Sequence, residues 1–144
     1  MKLLLQRVLQ ARVEVDKTIK GQIDQGLLVL VGIEKNDDVT VIKRAAQRLL
    51  GYRVFADDDN KMNLNVMDIE GGVLAISQFT LAAQTGKGLR PSFSSAMAPE
   101  QAREFYALFI ETLRQQYHHI ETGVFGADMQ VHLVNDGPVT FLLD

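Results

Sequence analysis

The chain contains no cysteine. That single absence excludes a disulfide framework, a thiolate zinc site and a cysteine nucleophile together. No stretch of about 18 consecutive apolar residues occurs, so nothing reads as a membrane-crossing helix, and the apolar opening from Met1 to Gln10 is too short and too interrupted for a signal peptide. Positive charge is also short: 15 Lys and Arg stand against 18 Asp and Glu, a net charge of −3. A protein that coats nucleic acid needs a cation for each phosphate it neutralises, so that class is excluded, although a local basic loop would still suffice to hold one RNA end. Nucleotide-binding glycine patterns are missing too. The loop around Gly86 and Gly88 has neither the phosphate-cradling nor the dinucleotide spacing, and no GxSxG elbow presents a serine. What remains is the composition of an ordinary globular domain of 144 residues, 47% hydrophobic and 23% charged, with the cytoplasm as its expected compartment.

The opening segment alternates with period two. Leu3, Leu5, Leu9, Ala11, Val13 and Val15 fall on one face, which predicts a long half-buried strand with Arg7 out of place on the apolar side. A lone buried cation is costly, so Arg7 must snorkel to water or find partners. The run 26–33 is continuously apolar and predicts a buried strand. Asp37 and Asp38 supply an N-cap for a helix with Val39, Ile42, Ala46, Leu49 and Leu50 as its apolar stripe and Gly51 as its stop. A short strand is expected over 53–56 and a buried one over 73–81. Pro99 suits the first position of a second helix, whose core stripe is Ala102, Phe105, Tyr106, Phe109, Ile110, Leu113 and Tyr117. Two strands, 129–134 and 139–143, close the chain on either side of Asn135-Asp136-Gly137-Pro138. The expected fold is α+β, a mixed and partly closed barrel-like sheet covered by two main helices, in one domain over 1–144.

Metal chemistry finds little support. His118 and His119 are adjacent and point apart, His132 is distant, and no HExxH spacing occurs. Asp57, Asp59 and Asp68 follow a calcium loop in part, but Lys61 and Met62 stand where an acceptor and a glycine are required. Two segments are more informative. Ser77-Gln78-Phe79-Thr80-Leu81 follows a buried apolar run and brings hydrogen-bonding and aromatic groups to a strand end, where backbone N–H groups can face an oxyanion. Gly137-Pro138-Val139-Thr140 is, taken locally, an ordinary turn.

Together, these segments, the stretch from Ala82 to Phe93 and the opening Leu5-Gln6-Arg7-Val8 resemble the D-aminoacyl-tRNA deacylase family over essentially the whole chain. The resemblance implies a cytoplasmic homodimer, without cofactor or metal, that hydrolyses the ester of D-aminoacyl-tRNA and of glycyl-tRNA mischarged on tRNA(Ala). It implies that Ser77, Gln78, Phe79 and Thr80 line the pocket, while Gly137 and Pro138, joined by a cis bond, enter from the partner chain and exclude L-amino acids. Arg7 is then a clamp on the Gly-Pro segment, and Lys87 and Arg90 are candidates for contact with the tRNA acceptor end. The motif holds no base to activate Thr80, which favours assistance by the 2′-OH of the terminal ribose. Two other readings are a threonine-nucleophile esterase on small acyl compounds and a non-catalytic tRNA-binding module.

Overall fold

The computed structural model describes residues 1–86 and 88–144. Its organising element is β1 (Lys2–Val15), the strand announced by the N-terminal alternation. On one side its first half pairs antiparallel with β3 (Gly26–Gly32) and its second half with β2 (Thr18–Ile23). Along its other edge runs β8 (Gln130–Leu143), also antiparallel. Two parallel pairings extend the sheet, β3 with β6 (Gly72–Ser77) and β6 with β7 (Ile120–Thr122). The small hairpin of β4 (Phe55–Ala56) and β5 (Met62–Leu64) stands apart.

Strand order β2-β1-β3-β6-β7 brings the ends of the sheet toward each other. Gly21 of β2 lies so close to β7 that a Cβ there would come 2.7 Å from the Thr122 carbonyl oxygen. The mixed sheet thus nearly closes into a barrel. Val8, Ala11, Val13, Ile23, Leu28, Leu74 and Ile76 fill its interior. A larger core, including Leu27, Val29, Leu49, Phe109 and Leu113, lies between the sheet and the helices α1 (Val39–Gly51) and α2 (Pro99–Gln116). Because β3 and β6 are covered on both faces, their sequences are continuously apolar rather than alternating.

Both helices start as expected. The Asp38 carboxylate accepts the Val41 N–H at 2.8 Å, satisfying a donor with no partner inside α1. Pro99 occupies the first turn of α2, where its missing N–H costs nothing. Two buried tyrosines tie α2 and its end to β6 and the residue before it: Tyr106 donates to the Ala75 carbonyl at 2.9 Å and Tyr117 to that of Gly71 at 2.7 Å. Burial raises both phenol pKa values.

Val39, expected on the apolar stripe of α1, is 46% exposed at the first position of the helix, and three expectations about strands need correction. Leu9 is 53% exposed and Val8 is buried in its place, because the register of β1 against β8 slips twice around Val8. The two predicted C-terminal strands are one strand, β8, with an internal bulge. The strand expected over 73–81 stops at Ser77, and a 3-10 helix, Phe79–Ala82, follows. Among the described residues, no cluster of three or more His, Asp or Glu is arranged to hold a metal ion, and no helix is long and apolar enough to cross a membrane.

Candidate active site

The apolar stretch of β6 ends at Ser77, and the Gln78 N–H donates to the Val31 carbonyl at 2.8 Å, fastening this end to β3. Clefts form at the carboxyl ends of parallel strands because the chain departs there in different directions. Here the backbone turns at once into the 3-10 helix. Among the described residues, no hydrogen bond takes up the N–H of Phe79 or of Thr80. Both amides remain available as donors.

Beside this strand end lies a groove of about 470 Å³. Ser77, Gln78 and Phe79 form one wall with Ile76, and Met97, Pro99 and Ala102 at the start of α2 form another. Phe125, Gly126, Ala127, Met129 and Val131 complete it. None of these side chains is ionisable. Thr80 does not line the groove; its hydroxyl accepts a hydrogen bond from the Gln78 amide at 2.5 Å. Phe79 is 61% exposed, and its ring centroid lies 5.1 Å from that of Phe93. The loop that leads into Phe93 is closed by reciprocal backbone hydrogen bonds between Gln84 and Ser92, with Arg90 exposed within it. Lys87 lies outside the described residues.

Gly137 and Pro138 stand elsewhere. Val8 pairs with Asn135 and Gln6 with Thr140, so residues 136–139 bulge opposite Arg7 alone. The Gly137-Pro138 peptide is cis. Gly137 has φ 122°, and a Cβ there would come 2.7 Å from Val139 Cγ2 and 3.2 Å from Arg7 Nη2, so the position suits only glycine. Asn135 Nδ2 donates to the Arg7 carbonyl at 2.8 Å and to the Val139 carbonyl at 3.0 Å, stapling the base of the bulge. Arg7 itself donates through Nη1 to the Val54 carbonyl at 2.8 Å. Its Nε lies 3.0 Å from Asp136 Oδ2, close enough for an ion pair, although that N–H is not aimed at the oxygen and makes no hydrogen bond. Neither Gly137 nor Pro138 lines the groove of its own chain. Three strand positions separate β8 from β6, roughly 14 Å of sheet.

The histidines take no part in the groove. His118 is exposed, and His132 Nε2 lies 3.6 Å from Glu14 on the β1–β8 ladder. Met97, Phe125, Met129 and Val131 are groove residues that sequence reasoning missed. One signal was present: in Gly123-Val124-Phe125-Gly126, an aromatic residue stands between glycines in a stretch with neither helical nor strand period.

A sequence model of the family described as D-Tyr-tRNA(Tyr) deacylase matches residues 4–144. A protein of Shewanella frigidimarina named D-aminoacyl-tRNA deacylase is 60% identical over 140 residues, covering 97% of each chain. One of Teredinibacter turnerae with the same name is 57% identical over 144 residues, covering all of this chain and 99% of the relative. Among solved structures, one described as "c-Myc DNA Unwinding Element Binding Protein" superposes with a TM-score of 0.95 at 42% identity, covering 100% of this chain and 98% of the other. Another, a probable eukaryotic D-amino acid tRNA deacylase, has a TM-score of 0.88 at 15% identity over 99% of this chain and 97% of the other, which speaks for the fold alone.

Proposed function

Because the chain belongs to the D-Tyr-tRNA(Tyr) deacylase family, we propose that its groove receives the 3′-terminal aminoacyl-adenosine of tRNA and releases a D-amino acid from it. The protein is a hydrolase of aminoacyl-tRNA ester bonds with D-aminoacyl-tRNA as its substrate. The observation that carries the finer reading is the groove's lack of any ionisable side chain.

An aminoacyl ester is activated already, so positioning and oxyanion stabilisation are what the protein must supply. The N–H groups of Phe79 and Thr80 fit the second task. Water adds to the ester carbonyl carbon, the oxyanion accepts hydrogen bonds from these amides, and collapse breaks the bond to the ribose 3′ oxygen, which takes up a proton. The vicinal 2′-OH orients the water and relays its proton. Thr80 is a poor nucleophile by comparison: no base adjoins it, and its oxygen already accepts from Gln78. That weighs against a threonine esterase, and family membership weighs against a non-catalytic tRNA-binding module.

Chirality is set by exclusion. In this reading the protein is a homodimer in which Gly137 and Pro138 of one subunit stand over the other's groove. Their exposure, their distance from their own groove and their fixation by Arg7 and Asn135 support it. A wall of backbone carbonyls beside the α-carbon leaves room for hydrogen and clashes with any L side chain, whatever its chemistry. Arg90, exposed between Gln84 and Ser92, is suited to the acceptor end, and Lys87, three residues before it in sequence, is the second candidate. The activity belongs in the cytoplasm, where aminoacyl-tRNA is made.

The test compares kcat/KM for D-tyrosyl-tRNA, L-tyrosyl-tRNA and glycyl-tRNA(Ala). D-tyrosyl- and glycyl-tRNA are expected to be cleaved and L-tyrosyl-tRNA spared. Cleavage of D-tyrosyl-tRNA with glycyl-tRNA untouched means that the pocket reads the D side chain, and exclusion is then wrong.

A further inference from the structure

A second groove, of about 500 Å³, runs along the outer face of α2. Arg103, Ala107, Ile110 and Arg114 follow one another on one side of the helix at spacings of four, three and four residues. Glu111, Gln115, Tyr106, Thr122 and Phe125 complete the lining. Phe125 belongs to both grooves, so the second begins where the first ends. The Arg103 guanidinium lies over the Phe125 ring, 4.9 Å from its centroid. Of the three charged side chains lining the second groove, two are cationic, in a protein whose net charge is −3.

We propose that this α2 groove carries the sugar-phosphate backbone of the tRNA 3′ strand just upstream of the terminal nucleotide, with Arg103 and Arg114 as its phosphate contacts. The inference rests on the terminal adenosine occupying the first groove. A strand leaving that groove past Phe125 meets Arg103 first. Arg114 follows about 16 Å further along the helix axis, a separation that a few unstacked nucleotides of an extended strand can span. Two guanidiniums at such a separation can bracket a short single strand without the broad basic surface that the composition excludes. Planar guanidinium forks suit phosphate oxygens, and the aliphatic floor at Ala107 and Ile110 admits sugar without selecting a base. Glu111 opposes a phosphate there, which provides a test of opposite sign.

Two readouts separate this groove from the catalytic one. Anisotropy of labelled, uncharged tRNA reports binding without hydrolysis, and cleavage of 3′-O-(D-tyrosyl)-adenosine reports the first groove without an upstream strand. Arg103→Gln and Arg114→Gln should each weaken tRNA binding roughly three- to tenfold and make its dependence on log salt shallower by about 0.7. KM for D-tyrosyl-tRNA should rise accordingly relative to KM for the adenosine ester. Glu111→Gln should tighten tRNA binding, and Arg44→Gln on α1, outside the groove lining, serves as a control. Unchanged salt slopes, or equal KM shifts on both substrates, overturn the proposal. Failure of the unaltered protein to cleave the adenosine ester and D-tyrosyl-tRNA strikes instead at the catalytic reading, and the anisotropy series still decides the groove.

Discussion

Arg7 shows how one residue can violate a pattern and repay the violation locally. It stands at an apolar phase of β1, yet the bulge at 136–139 opens opposite it, and Val54, Asp136 and Gly137 surround its guanidinium. Arg7→Ala removes the cation that packs against Gly137 while leaving the groove lining intact. The D/L ratio of kcat/KM on tyrosyl-tRNA should therefore fall before hydrolysis of the D-substrate does, and an unchanged ratio refutes the clamp. At Thr80 the question is nucleophile or bystander. With its oxygen engaged by Gln78, Thr80→Ala should keep activity within about tenfold, whereas loss of a true nucleophile costs several orders of magnitude. D-tyrosyl-tRNA ending in 2′-deoxyadenosine provides the complementary measurement. Full activity on it contradicts assistance by the ribose.

Among the elements, those governed by local pattern were legible in the sequence. The α1 cap at Asp38, the Pro99 start of α2 and the buried stripes from Ile42 to Leu50 and from Tyr106 to Leu113 all stand where periodicity and capping chemistry put them. Replacing Asp38 by Ala leaves the Val41 N–H without its acceptor and should cost about 1 kcal/mol. The check is a lower urea midpoint with an unchanged m-value. Elements defined by a distant partner were not legible. Strict alternation puts Leu9 inside, but the slips that expose it arise from β8, more than 120 residues away in the chain. The same slips make one bulged strand of what reads locally as two strands and a turn. Ser77, Gln78 and Phe79, which line the groove, stood out as polar and aromatic groups after an apolar strand, but only the family resemblance joined them to a pocket. Met97, Phe125 and Met129 did not stand out, since apolar side chains look alike in sequence whether they fill a core or line a groove.

At the scale of the whole molecule, the chain exposes 8454 Å², against about 7,400 Å² for a compact monomer of 16.1 kDa. The excess suits a chain with a large contact surface still uncovered. Leu9 of β1 and Val134, Phe141 and Leu142 of β8 are exposed, and β8 pairs only with β1 among the described residues, leaving a 14-residue strand with an open edge. Light scattering should give twice the chain mass. A mass near 16 kDa for an active preparation excludes a shared site. Complementation is more demanding. Ser77→Trp fills the groove and Pro138→Trp obstructs the partner's, so each variant alone should be inactive. Refolded together in equal amounts, they should recover about a quarter of normal activity, because half the dimers are mixed and each of these has one site free of both changes. Sites built within single chains would recover nothing.

The uncharged lining of the groove also bears on safety in a crowded cell. Peptides, thioesters and free esters that wander in find no acid, base or activated hydroxyl to attack them. On the proposed mechanism, the ribose hydroxyl that relays the proton arrives with the substrate and leaves with it. On that mechanism the protein can be abundant and still be chemically dormant until the right RNA end completes it.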